Sequence, residues 1–289
     1  MDAGNVHIGQ KKRIRSFSID RDELRNLLEI LQERAYAEGE IEQQRLKKIP
    51  EQTEEQFEQA KRELREGFEL FITLSGVDGR KLTGNISQIF DSPNFPEEVR
   101  DVFFDTSTPL YYRHRYTPRN KMILYLDFRR PDVLNLSILP SQETQNESNL
   151  EVQGKDVTWV NGVFKEFFDF VEQRPSTLPW LHRHSIYDVI LWLVGFPLSF
   201  WICSKLSPSI EKIFGGYSAF LKSALYFYVF VIALNLIRIA FHYARWIWPL
   251  TEYKSEKSKS LKHKAMFSLL VSGLVFPAIY DIIKWIFIK

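Results

Sequence analysis

Cysteine is nearly absent from this chain: one residue, Cys203, in 289. A lone thiol excludes an internal disulfide framework and fits a reducing compartment for the polar part of the chain. An apolar core behind the first basic residues, Lys11, Lys12, Arg13 and Arg15, is missing as well. No cleaved signal peptide is therefore expected, and the first hydrophobic segment would itself direct insertion. Catalytic signatures are also lacking. Gly76-Val77-Asp78-Gly79 followed by Gly84 has neither dinucleotide nor Walker spacing, and there is no His-Glu-x-x-His and no Gly-x-Ser-x-Gly. His182 and His184 supply two metal ligands at most, with no Cys or Glu cluster to complete a set, so they read as an interfacial collar. No cofactor and no metal are expected, and an enzyme is not the favoured reading.

What is present is a sharp division. Apolar stretches Ile186–Ser204, Ser223–Ile237 and Ala265–Ile283 crowd into the C-terminal part. A helix needs about 20 mostly apolar residues to cross the roughly 30 Å hydrocarbon layer, and each stretch approaches that length with its flanks. Spans are expected at about 186–204, 219–240 and 265–285. Of the seven tryptophans only Trp159 precedes residue 180; the others flank or enter the apolar stretches, where such rings favour the membrane interface. Residues 1–180 hold 25 Lys plus Arg against 31 Asp plus Glu, and the remainder 13 against 5. The polar part is acidic and the membrane part basic.

Before the spans, the period of the apolar residues changes once. Residues 1–17 read as a flexible basic tail. Asp20 with Glu23, and Thr53 with Gln56, make capping boxes ahead of two helical stripes, so residues 18–66 are expected as a helical hairpin with a short coiled-coil-like contact. Alternation then predicts strands at Glu69–Ser75, Arg80–Gly84, Val99–Asp105, Leu110–Tyr116, Met122–Phe128, Val133–Leu139 and Leu150–Val152, with Asp78-Gly79 as a hairpin turn. Asp156 caps a last helix with a wide apolar face. The fold class is thus an α+β soluble domain with a mainly antiparallel sheet over 67–173, a linker over 174–183, and a three-span helical region over 184–289.

The loop between the second and third spans holds Arg238, Arg245, Lys254, Lys257, Lys259, Lys262 and Lys264, against Lys205, Lys212 and Lys222 between the first and second. The richer loop should be cytoplasmic. That places the N-terminal domain on the cytoplasmic side of a plasma or inner membrane and the C-terminus on the opposite side. Matching depths predict the ion pairs Asp188 with Arg238 and Lys222 with Asp281. Asn235 is deep enough to bond across helices, Pro197 and Pro277 permit kinks, and Gly273 permits close helix approach.

Two clusters in the polar part carry candidate chemistry. Strand alternation puts Tyr111, Arg113 and Arg115 on one face, residue types that bind an anionic small ligand by charge and stacking; a solvated strand face uses the same residues. The acidic balance argues against nucleic acid. Asp127 and Arg129 gather at a strand exit, as ligand-binding or catalytic groups do and as turn ion pairs also do. The leading expectation is a multi-pass membrane protein acting as a membrane-anchored interaction or sensing module, with the lipid bilayer and a protein partner or second copy as partners. An oligomeric pore or transporter is the alternative, and a membrane-bound enzyme with Asp127, Arg129 and Arg113 in one pocket is the third.

Overall fold

The computed structural model describes residues 7–134, 140–255 and 260–287. Their contacts separate into two compact units. One gathers the described residues of Met1–Arg129, Asn146–Ser176 and Leu250–Ser258, the other those of Arg130–Gln145, Thr177–Pro249 and Lys259–Lys289. The expected strand Val133–Leu139 falls largely outside the described residues, as do Lys257 and Lys259 of the basic loop.

The first unit is mixed α/β. Strands β1 (Ile8–Arg13), β3 (Ile72–Gly76), β4 (Lys81–Gly84), β5 (Val99–Asp105), β6 (Lys121–Asp127) and β7 (Asn149–Gly154) form a sheet in the order β1-β7-β6-β5-β3-β4, with every pair antiparallel. Residues of the expected basic tail therefore form an edge strand: Lys11 reaches Glu151 at 3.0 Å and Lys12 lies 3.9 Å from the Phe168 ring. Alternation works as read. Ile72, Leu74, Val102, Phe104, Met122, Leu124, Leu150 and Val152 point to one buried face. Helices α1 (Arg21–Arg45) and α5 (Val157–Glu172) contribute Leu24, Leu27, Leu28, Leu31, Val160, Val163 and Phe167 to the same core. Both expected capping boxes form, at Asp20/Glu23 before α1 and at Thr53/Gln56 before α2 (Glu54–Glu66). Gly39 sits inside α1, where a Cβ would press to 3.0 Å from the Phe68 ring; close approach outweighs its poor helix propensity.

A second sheet, of two strands, is the unexpected element. β2 (Phe17–Ile19) pairs in parallel with β8 (Thr251–Tyr253), which lies between the second and third apolar helices. The short helix α3 (Ile86–Phe90) was not expected either.

The expected strand Leu110–Tyr116 is instead helix α4 (Ser107–His114). Local polar bonds decide this. Asp105 accepts from the Ser107 amide at 2.8 Å, the Ser107 hydroxyl at 2.6 Å and the Thr108 hydroxyl at 2.9 Å, which starts a turn that Pro109 tolerates in its first residues. Arg115 then ends it in left-handed backbone, φ 51°, with its amide bonded to the Tyr111 carbonyl at 3.0 Å.

The second unit contains three helices long and apolar enough to cross a membrane. The first, Ile186–Phe214, comprises α6 (Ile186–Ile190), a π-helical turn (Leu191–Gly195) and α7 (Phe196–Phe214); the second is α8 (Ala219–Ile247); the third lies within α9 (Ser260–Phe287). The π turn ends two residues before Pro197, which has no N–H and whose ring collides with a carbonyl one turn earlier, so the helix widens there. Few side chains of these helices are covered by the chain itself, and large apolar residues such as Trp192, Phe220, Phe227, Leu269 and Phe276 are exposed. Gly273 meets open space and is no packing seam among the described residues.

Candidate functional site

The residues singled out in the polar part do not assemble into one pocket. Because 111–115 are helical, Arg113 and Arg115 diverge: Arg113 lies over the Phe71 ring at 5.8 Å and Arg115 over Tyr111, one turn back, at 5.5 Å. Both guanidinium groups rest against rings while Tyr111 and Tyr112 stay exposed. Asp127 is buried and already satisfied. Its carboxylate takes two parallel bonds from Arg129, at 2.9 and 2.8 Å, and the Arg129 amide at 3.0 Å, while Arg129 also reaches Glu147 at 2.7 Å. These bonds raise the affinity of Arg129 for its proton. Asp127 closes one end of β6, whereas Asp105, which starts α4, lies opposite Ile123 nearer the other end. The strand separates the two clusters, so no joint site of Arg113, Asp127 and Arg129 exists.

A different polar node lies on α1, hidden from a reading of the sequence because Glu38 and Glu42, one turn apart, look like a solvated face. They are 1% and 2% exposed. Glu38 accepts the Asn120 amide at 3.2 Å and its side-chain N–H at 2.6 Å; Glu42 accepts the Arg119 amide at 3.1 Å and the Tyr116 hydroxyl at 2.5 Å. Asn120 in turn accepts the amides of Lys155 and Asp156 at 2.8 and 3.1 Å. Burial, reinforced by the neighbouring Glu42 charge, pushes the Glu38 carboxyl up to about 7. The pair thus holds the 115–120 loop and the start of α5 on α1. The Tyr116 hydroxyl, buried against Glu42, is also raised.

The β2–β8 pair is the other built feature. Phe17 donates its amide to the Leu250 carbonyl at 3.3 Å, and the Lys254 amide donates to Ile19 at 2.8 Å. The Thr251 hydroxyl donates to the Asp127 carbonyl and accepts from Asn146 Nδ2 at 2.8 Å, and Tyr253 stacks edge-on with Phe128, centroids 6.0 Å apart. Comparison of the chain with family models, curated proteins and solved structures gives no match.

In the helical unit the expected pair of Lys222 with Asp281 is re-partnered. Lys222 meets Glu211 at 3.4 Å, and Asp281 meets Lys205 at 2.6 Å and accepts the Trp201 indole N–H at 3.0 Å. The physical reason is the length of α7: it runs through Pro208 to Phe214, ten residues past the expected end, and carries Lys205 and Glu211 to the level of Lys222 and Asp281. Asp188 and Arg238 both lie close enough to Tyr187 to act on its hydroxyl electrostatically. Asn235 bonds the Val231 carbonyl of its own helix at 2.9 Å, not a neighbouring helix.

His182 is buried, with Nε2 2.6 Å from the Trp248 carbonyl and Nδ1 2.9 Å from the Thr144 hydroxyl. A carbonyl only accepts, so Nε2 carries the proton and Nδ1 accepts from Thr144. Burial depresses this imidazole to about 4 and keeps it neutral. Both nitrogens are used, and no group of three or more metal-ligating side chains occurs among the described residues.

Proposed function

We infer that this chain is a membrane-anchored interaction or sensing module: an α+β domain held on the cytoplasmic face by three spans, with the segment after the second span built into the domain itself. The observation that carries the reading is the parallel pairing of Phe17–Ile19 with Thr251–Tyr253. Backbone strands do not pair through a bilayer, so these residues share one side. Three crossings and the excess of Lys and Arg in the same inter-helix segment agree with that side being cytoplasmic. Anchoring through both a linker and an internal strand gives the helices a mechanical handle on the domain, as a sensor requires. The exposed rings of Tyr111 and Tyr112 on α4 suit a protein partner better than an anionic small ligand, because the adjacent guanidinium groups already lie on aromatic faces. A conduit is not favoured: Lys205, Asp281, Lys222 and Glu211 engage one another.

Single cysteines in a Cys203→Ser background test the arrangement. Glu55→Cys and Lys254→Cys should react with a membrane-impermeant maleimide only after cells are opened, and Gly216→Cys before. Labelling of Lys254→Cys and Gly216→Cys from the same side would overturn it.

A further inference from the structure

Arg238, His242 and Arg245 occupy one face of α8, spaced four and three residues apart near its C-terminal end. Arg245 is 3% exposed and His242 6%. The Arg245 Nε donates to the Leu181 carbonyl at 3.1 Å and its guanidinium lies 4.7 Å from the Phe241 ring. Its Nη2 and the His242 Nε2 are buried without any hydrogen-bond partner. Arg245 has no carboxylate within ion-pair distance among the described residues, and the charges acting on His242 are both positive, from Arg238 and Arg245. Buried cations are ordinarily paired, and an unused N–H of a guanidinium is a strong donor in search of an acceptor.

The setting narrows the acceptor. Tyr243, Trp246 and Trp248 surround this end of the helix, with Arg130 4.8 Å over the Trp246 ring and His263 2.7 Å from the Tyr243 hydroxyl. Rings of this kind with basic residues mark headgroup depth. Toward the helix centre, Leu236 and Ile239 on α8 and Met266, Leu269 and Leu270 on α9 are exposed apolar side chains that suit acyl chains. The helix dipole presents its negative end here, so attraction for an anion comes from the side chains.

We propose that this face of α8 binds a phosphate group, supplied by the headgroup of an anionic phospholipid. The Arg245 fork gives two parallel N–H donors to phosphate oxygens and His242 gives a third. Arg245 reaches the headgroup by exchanging its single bond to the Leu181 carbonyl for charge-assisted bonds. The assignment rests on α8 being a membrane span.

Full-length protein in neutral detergent, presented separately with dioleoyl phosphatidylglycerol, dioleoyl phosphatidylcholine and inorganic phosphate, tests it by native mass spectrometry and thermal melting. Phosphatidylglycerol should be retained at least tenfold more tightly than phosphatidylcholine. Arg245→Met and His242→Gln should each remove most of that preference, and Arg245→Lys should keep part of it. His242→Gln carries the test if Arg245→Met does not fold. Equal retention of both lipids by the wild type, or undiminished preference in a folded variant, overturns the site. Stabilisation by inorganic phosphate without lipid preference overturns the lipid source and transfers the site to a soluble anion. Release of the chain by alkaline carbonate would instead sink the span itself, whereas loss of lipid preference in a chain that resists carbonate sinks the site alone.

Discussion

Replacing Thr251 by Val probes whether a residue between two apolar helices stabilises a domain built mostly from the first 176 residues. Thr251 is 1% exposed and its hydroxyl makes two bonds, donating to the Asp127 carbonyl and accepting from Asn146. Valine keeps the shape and removes both. Asn146 still donates to the Asp127 carbonyl at 3.1 Å, so neither partner is left wholly unsatisfied. The cost is then two net hydrogen bonds, about 1–3 kcal/mol. Since about 1.4 kcal/mol is a tenfold change in an equilibrium, the opening of the β2–β8 pair should become roughly 5- to 150-fold more frequent. Amide exchange read by mass spectrometry on full-length protein in detergent should therefore accelerate at Lys254, whose amide is bonded to Ile19, and at Phe17, bonded to Leu250. Thr251→Ser keeps the hydroxyl and should remain close to wild type. Faster exchange confined to 250–255, with Phe17–Ile19 unchanged, would refute the reasoning.

Three further outcomes follow from the geometry. The folded Glu38 carboxyl keeps its proton to about pH 7 against 4.5 for the free group, so its contribution is complete below about 4.5 and fades as pH rises through 7. Stability of the α/β unit should fall by up to about 3 kcal/mol across that window, and Glu38→Gln, which imitates the protonated acid, should flatten the profile; a wild type as stable at pH 8 as at pH 5 would contradict this. Gly154→Ala would place a Cβ 2.0 Å from the Asn120 side-chain oxygen and push apart the node joining α1, β6 and α5, costing about 1–3 kcal/mol in a denaturant melt of the full chain. Lys205→Asp and Asp281→Lys should each lower the melting temperature in detergent and recover together; a double variant no better than the singles would exclude that ion pair as a link between α7 and α9.

Much of the fold is legible where one period dominates. Val99–Asp105 is a strand with the expected ends because its apolar residues alternate, and α1 starts at its capping box because Asp20 and Glu23 bond each other's backbone. The run Tyr111–Tyr116 misleads because tyrosine and arginine mark neither a core face nor a solvent face, and three bonds to Asp105 tip the balance to helix. The three residues of β8 carry no periodic signal, and their partner is far away in sequence. At the candidate sites the same limit applies. Arg113, Arg115, Asp127 and Arg129 advertise chemistry but neutralise it locally, while Glu38, Glu42 and Arg245 owe their interest to burial, which charge patterns on a helix do not disclose.

The parallel strand pair also orders events during synthesis. Phe17–Ile19 leave the ribosome early, yet Thr251–Tyr253 emerge only after two apolar helices have been made. Until then Phe17 and Ile19 lack the neighbour that covers them, and the nascent head offers an unmatched strand edge to chaperones. Completion of the first unit thus waits on the synthesis of both apolar helices that precede Thr251–Tyr253, an order written into the chain.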